Sequence, residues 1–234
     1  MCGRLVLSSM PSDFVDYFNS IDIARRIKLE NSFKESFIPR FNVSPGSKIY
    51  ALANSEDTND IEVKTFNWGL VPHWAKDSSF GAKCFNARAE TMAEKPTFRD
   101  AFKRSRCVVL ADGYYEWKKV QSGGTGLTKQ PYFIHYSNSK PMFFAGLCEP
   151  KTDTVAIVTR DAQGSLRQIH DRRPVFLDIE AAHEWLDFTS TKNELIDLVL
   201  SSDDSDIEAY QVSSLVNKGS VEGESLIEKI DALF

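Results

Sequence analysis

Cysteine stands at the second position of the chain, directly after Met1. Excision of a leading methionine is efficient when the next residue is small, and cysteine is small enough. The new terminus would carry an α-amine and a thiol on adjacent carbons. Such an amine, with an ordinary pKa of about 8, condenses with an aldehyde to an imine. The thiol can then close on the imine carbon and give a five-membered thiazolidine. The same terminus has a second chemistry: a thiol with its own amine as base can attack an amide. One cysteine carries neither reading alone, because position 2 can hold one by chance.

Five further segments gather polar and aromatic residues beside turn formers: FNVSPG (41–46), WGLVPHWAKD (68–77), FNARAET (85–91), ADGYYEW (111–117) and IHDRRPVFL (169–177). Each reads as a loop between strands, and loops carry function more often than regular elements do. Glu116 sits in an aromatic frame of Tyr114, Tyr115 and Trp117. A carboxyl against aromatic rings loses solvation, so its pKa rises and suits general acid–base work. The plainer alternative is a strand residue facing solvent. His170 opens His-Asp-Arg-Arg-Pro; an imidazole beside cations can donate to phosphate or shuttle a proton, or simply bond to backbone. Arg4, Arg88, Arg172 and Arg173 offer forks that match phosphate oxygens. Trp68 and Trp74 flank Pro72, and either ring could stack on a base. Tryptophan is more often buried apolar surface, a reading that suits Trp68 better than Trp74. His73, His135 and His183 have no metal-ligand spacing to His170 or to each other, so no metal is expected. Cys84, Cys107 and Cys148 read as inert small hydrophobes.

Short strands must position these segments. Seven are predicted: Arg4–Leu7, Ile49–Ala53, Val63–Asn67, Cys107–Ala111, Tyr132–Tyr136, Met142–Leu147 and Val155–Thr159. Each is rich in Val, Ile, Phe or Tyr and bounded by Gly, Pro, Asn or Asp. Helices are predicted from Pro11 toward Asn19 with Ser12 as N-cap, over Lys95–Lys103 behind Pro96, over Ile179–Asp187 and over Lys192–Leu200. These helices do not alternate regularly with the strands, which argues against a doubly wound parallel sheet. The expected class is α+β: a single domain, residues 1–234, around a mostly antiparallel, barrel-like sheet flanked by a few helices. Residues 120–129 (VQSGGTGLTK) match neither G-x-G-x-x-G nor G-x-x-x-x-G-K. They read as a mobile hairpin loop rather than a phosphate loop.

Composition narrows the class further. The chain's 234 residues are 42% hydrophobic and 26% charged, which excludes a disordered or low-complexity chain. No apolar run approaches the ~18 residues of a membrane span, and the apolar stretch at the N-terminus is too short for a signal peptide. No C-x-x-C pair occurs, which fits a reduced, cytoplasmic setting. The formal charge of −5 conceals a split. Residues 1–178 carry 25 Lys and Arg against 20 Asp and Glu, whereas residues 179–234 carry 3 against 13. The body can therefore bind a polyanion despite the acidic whole, while the C-terminal segment reads as a solvated acidic face.

MCGR, FNVSPG, WGLVPHWAKD, FNARAET, ADGYYEW and IHDRRP follow one another in that order. The set strongly resembles the SOS-response-associated peptidase (SRAP) domain of the abasic-site processing proteins, most specifically over residues 2–178. The resemblance implies a monomer without cofactor that binds single-stranded DNA containing abasic sites, on the nucleoid where DNA is damaged. It implies that Cys2, exposed by loss of Met1, crosslinks to the lesion as a thiazolidine. Asn86 would position the amine and the sugar, Glu116 would act as acid–base group in crosslinking and its reversal, and His170 would help open the sugar ring. Arg4, Arg88 and Arg172 would bind phosphates, and Trp74, Asn42 and Pro45 would shape the point where strands splay. Arg173 stands where the family commonly has Met, and Leu110 where it commonly has Pro; the extra arginine could alter DNA contacts. Two competing readings remain: an N-terminal-nucleophile peptidase or amidohydrolase, and a non-covalent single-strand-binding module. The acidic segment has no assigned role, and truncation after about residue 216 is expected to leave the chemistry intact.

Overall fold

The structure, a computed structural model, describes residues 2–20, 27–28, 37–55, 60–121 and 126–230. Met1 and the tip of the 120–129 loop (122–125) lie outside the described residues. The strands in chain order are β1 (Leu5–Leu7), β2 (Ile27–Lys28), β3 (Arg40–Val43), β4 (Lys48–Asn54), β5 (Ile61–Trp68), β6 (Asn86–Arg88) and β7 (Arg106–Ala111). They continue with β8 (Gly113–Gln121), β9 (Leu127–Tyr136), β10 (Met142–Glu149), β11 (Thr154–Asp161), β12 (Arg172–Pro174), β13 (Phe176–Leu177) and β14 (Ile207–Gln211). One sheet is open and antiparallel, in the order β14-β9-β8-β1-β3. The other runs β12-β11-β10-β7-β4-β5-β2, and a parallel pairing of β5 with β11 closes it on itself. The α+β class and the predominance of antiparallel pairing are as expected; the parallel pairs are β2–β5, β5–β11 and β6–β11.

Period-two alternation assigns the closed sheet's residues to two different interiors. Leu52, Val108, Leu110, Phe143, Ala145, Ala156 and Val158 face the helices, where Phe14, Phe18 and Trp185 pack on them. Their neighbours Ala51, Val109, Phe144, Val155 and Ile157 face the open sheet, where Leu5, Leu7 and Tyr114 of that sheet and Cys2 pack with them. Strands buried on both faces lose the apolar–polar alternation that marks a half-buried strand. This is why ADGYYEW, expected as a loop, proves to open β8, the nine-residue Gly113–Gln121. FNARAET likewise opens with β6, and FNVSPG is the end of β3 followed by a turn. WGLVPHWAKD does follow the end of β5 as irregular chain.

Helices form at Pro11–Phe18, Arg99–Arg104, Ile179–Leu186 and Lys192–Ser201. Met10, not Ser12, caps the first. Pro11 takes the first helical position, where no N–H is needed, and Asp13 Oδ2 accepts from Met10 N at 3.1 Å. The second starts at Arg99 rather than near Lys95, after a run of turns that contains Pro96. The acidic segment is not only a solvated face. It supplies β14, and Val212, Val216 and Leu226 are buried against Val6, Tyr115 and Phe133 of the open sheet.

Candidate active site

Cys2 is fully buried between the two sheets. Strand β1 follows it, pairing with β8 through Leu5–Tyr114 and with β3 through Leu5–Val43. Glu116 shares the Tyr114 face of β8 by alternation and is 4% exposed. Asn86 opens β6, which lies parallel to β11 with Asn86 beside Ile157. Its Nδ2 donates to Cys2 O at 2.7 Å, so the amide holds the backbone of the nucleophile itself. Trp68 is buried as expected, and its Nε1 donates to Phe85 O at 2.9 Å, fixing the residue before Asn86. The turn after Trp68 requires glycine: Gly69 has φ +143°, and a Cβ there would lie 2.6 Å from Gly81 O.

Electrostatics in this interior favour neutral groups. Burial pushes the Cys2 thiol well up, the Glu116 carboxylate adds to that, and the Arg4 backbone N–H opposes it. Burial also raises Glu116, with the charge of His170 and the Trp117 N–H acting the other way. Tyr114 is raised by burial first and then by the charges of Cys2 and Glu116. His170 is held at Nδ1, which accepts from Arg172 N at 2.9 Å and lies 2.8 Å from Asp171 Oδ1. The first contact suits the neutral ring with its proton on Nε2, and the second suits the imidazolium.

The arginines of the motifs fall into different surroundings. Arg88 is exposed on β6. Arg172 is 8% exposed: its fork grips Glu90 at 2.7 and 3.0 Å, and it also reaches Asp161 at 2.6 Å and Thr159 O at 2.7 Å. Arg4 donates to Asn42 Oδ1 at 2.5 Å and Val216 O at 3.0 Å, with Trp117 beneath it. Asn42, 3% exposed, donates to Lys218 O and Val221 O. Arg4 and Asn42 are thus tied to the C-terminal segment, and Glu222 of that segment accepts from Phe41 N at 2.7 Å. Arg173 points inward. It is 1% exposed, lies over the Phe176 ring, and donates to Pro174 O and Ser202 O, so its charge faces the acidic segment and not a DNA surface. Trp74 is 48% exposed with its edge steadied by Phe80. Pro45 lines an open cavity of about 680 Å³ with Trp68 and Lys76.

The structure therefore brings Cys2, Asn86 and Glu116 to one interior, with the charge of His170 acting on Glu116, and leaves Arg88 and Trp74 exposed to solvent. Sequence reasoning missed Glu90, Asp161 and the carbonyls of 216–221. Glu90 carried a signal, as an acid within FNARAE; the carbonyls carried none, because backbone contacts leave no residue-type trace. Among the described residues no cluster of His, Cys, Asp and Glu could hold a metal.

A family model of the SOS response associated peptidases matches residues 1–219. The chain is 38% identical to the abasic site processing protein YoaM of Bacillus subtilis over 93% of each chain. It is 33% identical to the abasic site processing protein YedK of Escherichia coli, over 80% of this chain and 79% of that one. Among solved structures, a phage-related protein of Bordetella bronchiseptica superposes with a TM-score of 0.69 at 30% identity, covering 90% of this chain and 94% of that one. A Bacteroides thetaiotaomicron protein superposes with a TM-score of 0.78 over 98% and 100% of the chains; at 23% identity it bears on the fold alone. The chain belongs to the SRAP family, the SOS response associated peptidases.

Proposed function

We propose that this chain processes abasic sites in single-stranded DNA by forming a thiazolidine crosslink through Cys2 after Met1 is removed. The observation that carries the reading is the buried Cys2, its carbonyl held by Asn86 and its thiol within the field of Glu116. An abasic sugar is mostly a closed hemiacetal. Ring opening breaks the C1′–O4′ bond, moves the hydroxyl proton to a base and delivers a proton to O4′. A neutral Glu116 can supply that proton, and His170 can receive the other. The Cys2 amine then adds to the C1′ aldehyde and expels water, giving an imine. The thiol adds to the imine carbon, its proton passes to the nitrogen, and the ring closes. Reversal runs the same steps backward with Glu116 protonating the sulfur as the C–S bond breaks.

Burial suits this order. A thiol kept protonated does not react indiscriminately, and it is already placed when the imine forms. Arg88 and Trp74 supply the outer contacts, a guanidinium for backbone phosphate and a ring face for a base. The test is a mass spectrum after mixing the protein with an abasic single-stranded oligonucleotide. The expected species has the summed masses of des-Met protein and DNA less one water. Cleaved peptide bonds would instead support the hydrolase, and unchanged masses a binding module; either outcome overturns the crosslink.

A further inference from the structure

We propose that the cavity between the end of β10 and the helix Arg99–Arg104 is a second binding site, for a nucleotide. Lys64, Arg104 and Lys151 would hold its phosphate, and Phe188 would stack on its base. The inference does not depend on the crosslinking reading above.

The cavity measures about 510 Å³, within the ~300–1,000 Å³ usual for small-molecule sites. Cys2, Asn86, Glu116, Arg4, Arg88 and Arg172 are not among its lining residues. Alternation puts Lys64 on the same face of β5 as the buried Phe66, so an ammonium stands where the apolar interior ends. Its one ion pair among the described residues is with Glu62, at 3.8 Å. Arg104 closes its helix and Lys151 follows Pro150; both are exposed and make no ion pair among the described residues. Two carboxylates share the lining. Asp100 has Arg99 Nε at 3.8 Å. Glu149 is held more closely: Oε2 accepts from His73 N at 3.2 Å and lies 3.1 Å from His73 Nδ1, and Oε1 accepts from Lys151 N at 3.4 Å. With Arg106, four cations face two carboxylates, and the lining is net positive.

Arg106 deepens that field from below. It is 3% exposed, and its hydrogen bonds go to carbonyls: Nε to Trp185 O at 2.6 Å, Nη1 to Phe102 O at 2.8 Å and Nη2 to Asp187 O at 2.6 Å. Burial brings it down to about 10, against the charge of Asp187, so it stays protonated at neutral pH. Carbonyl dipoles solvate a cation without neutralising it, and a cleft with low-dielectric walls focuses the remaining field on an entering anion. The same guanidinium lies 4.9 Å from the Phe188 ring centroid. Phe188 is still 48% exposed, so the ring face turned from Arg106 is open. A base stacked there completes a column of guanidinium, ring and base. The phosphate then meets Lys64, Arg104 and Lys151, whose donors match its oxygens.

Calorimetric titration of the full chain with deoxyadenosine monophosphate, deoxyadenosine and inorganic phosphate decides the matter. The wild type should bind the monophosphate saturably, and about tenfold or more tighter than either fragment. The double variant Arg104→Ala/Lys151→Ala, on two exposed side chains, should weaken it by about tenfold or more. Phe188→Ala should weaken it by about fivefold or more through the lost stack. Phe188→Leu keeps the apolar cover over Arg106 without a ring, and it serves if Phe188→Ala does not fold. Anisotropy on an intact oligonucleotide with and without a 5′-phosphate identifies the source of the nucleotide. Tighter binding of the phosphorylated strand, lost in the double variant, would assign the site to a DNA end; no gain from the phosphate would assign it to a free nucleotide. No saturable binding of the monophosphate, or equal affinity for inorganic phosphate, would overturn the proposal. Wild-type affinity in the double variant would overturn it too, because the nucleotide would then sit elsewhere.

Discussion

Arg88 and Arg172 lie on two of the strands that pair with β11, and they meet solvent in opposite ways. Arg88, on β6, is exposed and makes no ion pair among the described residues. Arg172, on β12, is 8% exposed and grips Glu90 and Asp161. Both come from motifs that read alike as phosphate-binding. A guanidinium whose donors already meet carboxylates is held within the protein frame, whereas an open one is available to a polyanion. The same division runs through the whole site. Cys2, Glu116 and Arg172 are buried, the part-buried Asn86 and Arg4 are bonded within the protein, and Arg88 and Trp74 form a rim. Interior variants should alter rate or stability at constant affinity, and rim variants should alter affinity at constant rate.

The largest effect should come from Cys2→Ser. The amine survives and can form an imine, which borohydride would trap, but no thiazolidine can close. A gel without reductant should show complete loss of the heat-stable adduct, with affinity for intact single-stranded DNA unchanged. A heat-stable adduct from this variant would break the division at its centre, since the buried thiol would then have no part in the product.

Glu116→Gln comes next. Glutamine keeps the shape and a donor but transfers no proton, and general acid–base groups contribute ~10²–10⁴-fold in rate. Crosslinking and reversal should slow by that order, with affinity within a factor of about three, or ~0.7 kcal/mol. The pH dependence has a definite sign. Burial raises Glu116, so its proton is held to higher pH than an ordinary carboxyl's. Crosslinking should fall as pH rises through that raised value, and Glu116→Gln should lack this limb. Stability has the same sign, because the fold disfavours the ionised form; wild type should lose Tm relative to Glu116→Gln as pH rises.

How much of this was legible in the sequence depended on the kind of contact. All seven predicted strands exist, because Val, Ile, Phe and Tyr clusters between turn formers are a local property. The segments of β8 and β6 read as loops, because Glu116 and Asn86 are polar residues on strands that a second sheet or a neighbouring strand covers. Cys2, Asn86 and Glu116 could be named from residue chemistry and motif, but nothing local says that Asn86 holds the Cys2 carbonyl. Two partners of Arg4 and Arg173 are invisible for a further reason: the backbone oxygens of Val216 and Ser202 lie far along the chain from them or carry no residue-type trace.

That last point revises the expectation for the C-terminal segment. Arg4→Ala removes a group bonded to Asn42 and Val216 and leaves their oxygens unsatisfied, at a cost of about 1–3 kcal/mol. Calorimetry should show Tm lower by roughly 2–4 °C per kcal/mol for a chain of this size. Truncation after Val216 removes Lys218, Val221 and Glu222, and with them the bonds to Asn42 and Phe41, so it should destabilise the protein rather than leave it unaffected. A folded, fully active truncation would move Arg4 from the frame to the rim.

The smallest effect, and the sharpest test of the opening contrast, is the salt dependence of Arg88→Ala against Arg172→Gln. Each single-strand phosphate contact contributes about 0.7 to the slope of log K against log salt, through counterion release. Arg88 has a free fork, so Arg88→Ala should flatten the slope by roughly that amount and weaken binding a few-fold at low salt. The loss should be the same for any sequence, because phosphate contacts carry no base information. Arg172→Gln should leave the slope where it is, because its charge is already neutralised within the protein by Glu90 and Asp161. Anisotropy on one intact oligonucleotide at four salt concentrations measures both. Equal flattening in the two variants would mean that DNA displaces the carboxylates from Arg172, and the distinction between frame and rim would then hold only in the absence of DNA.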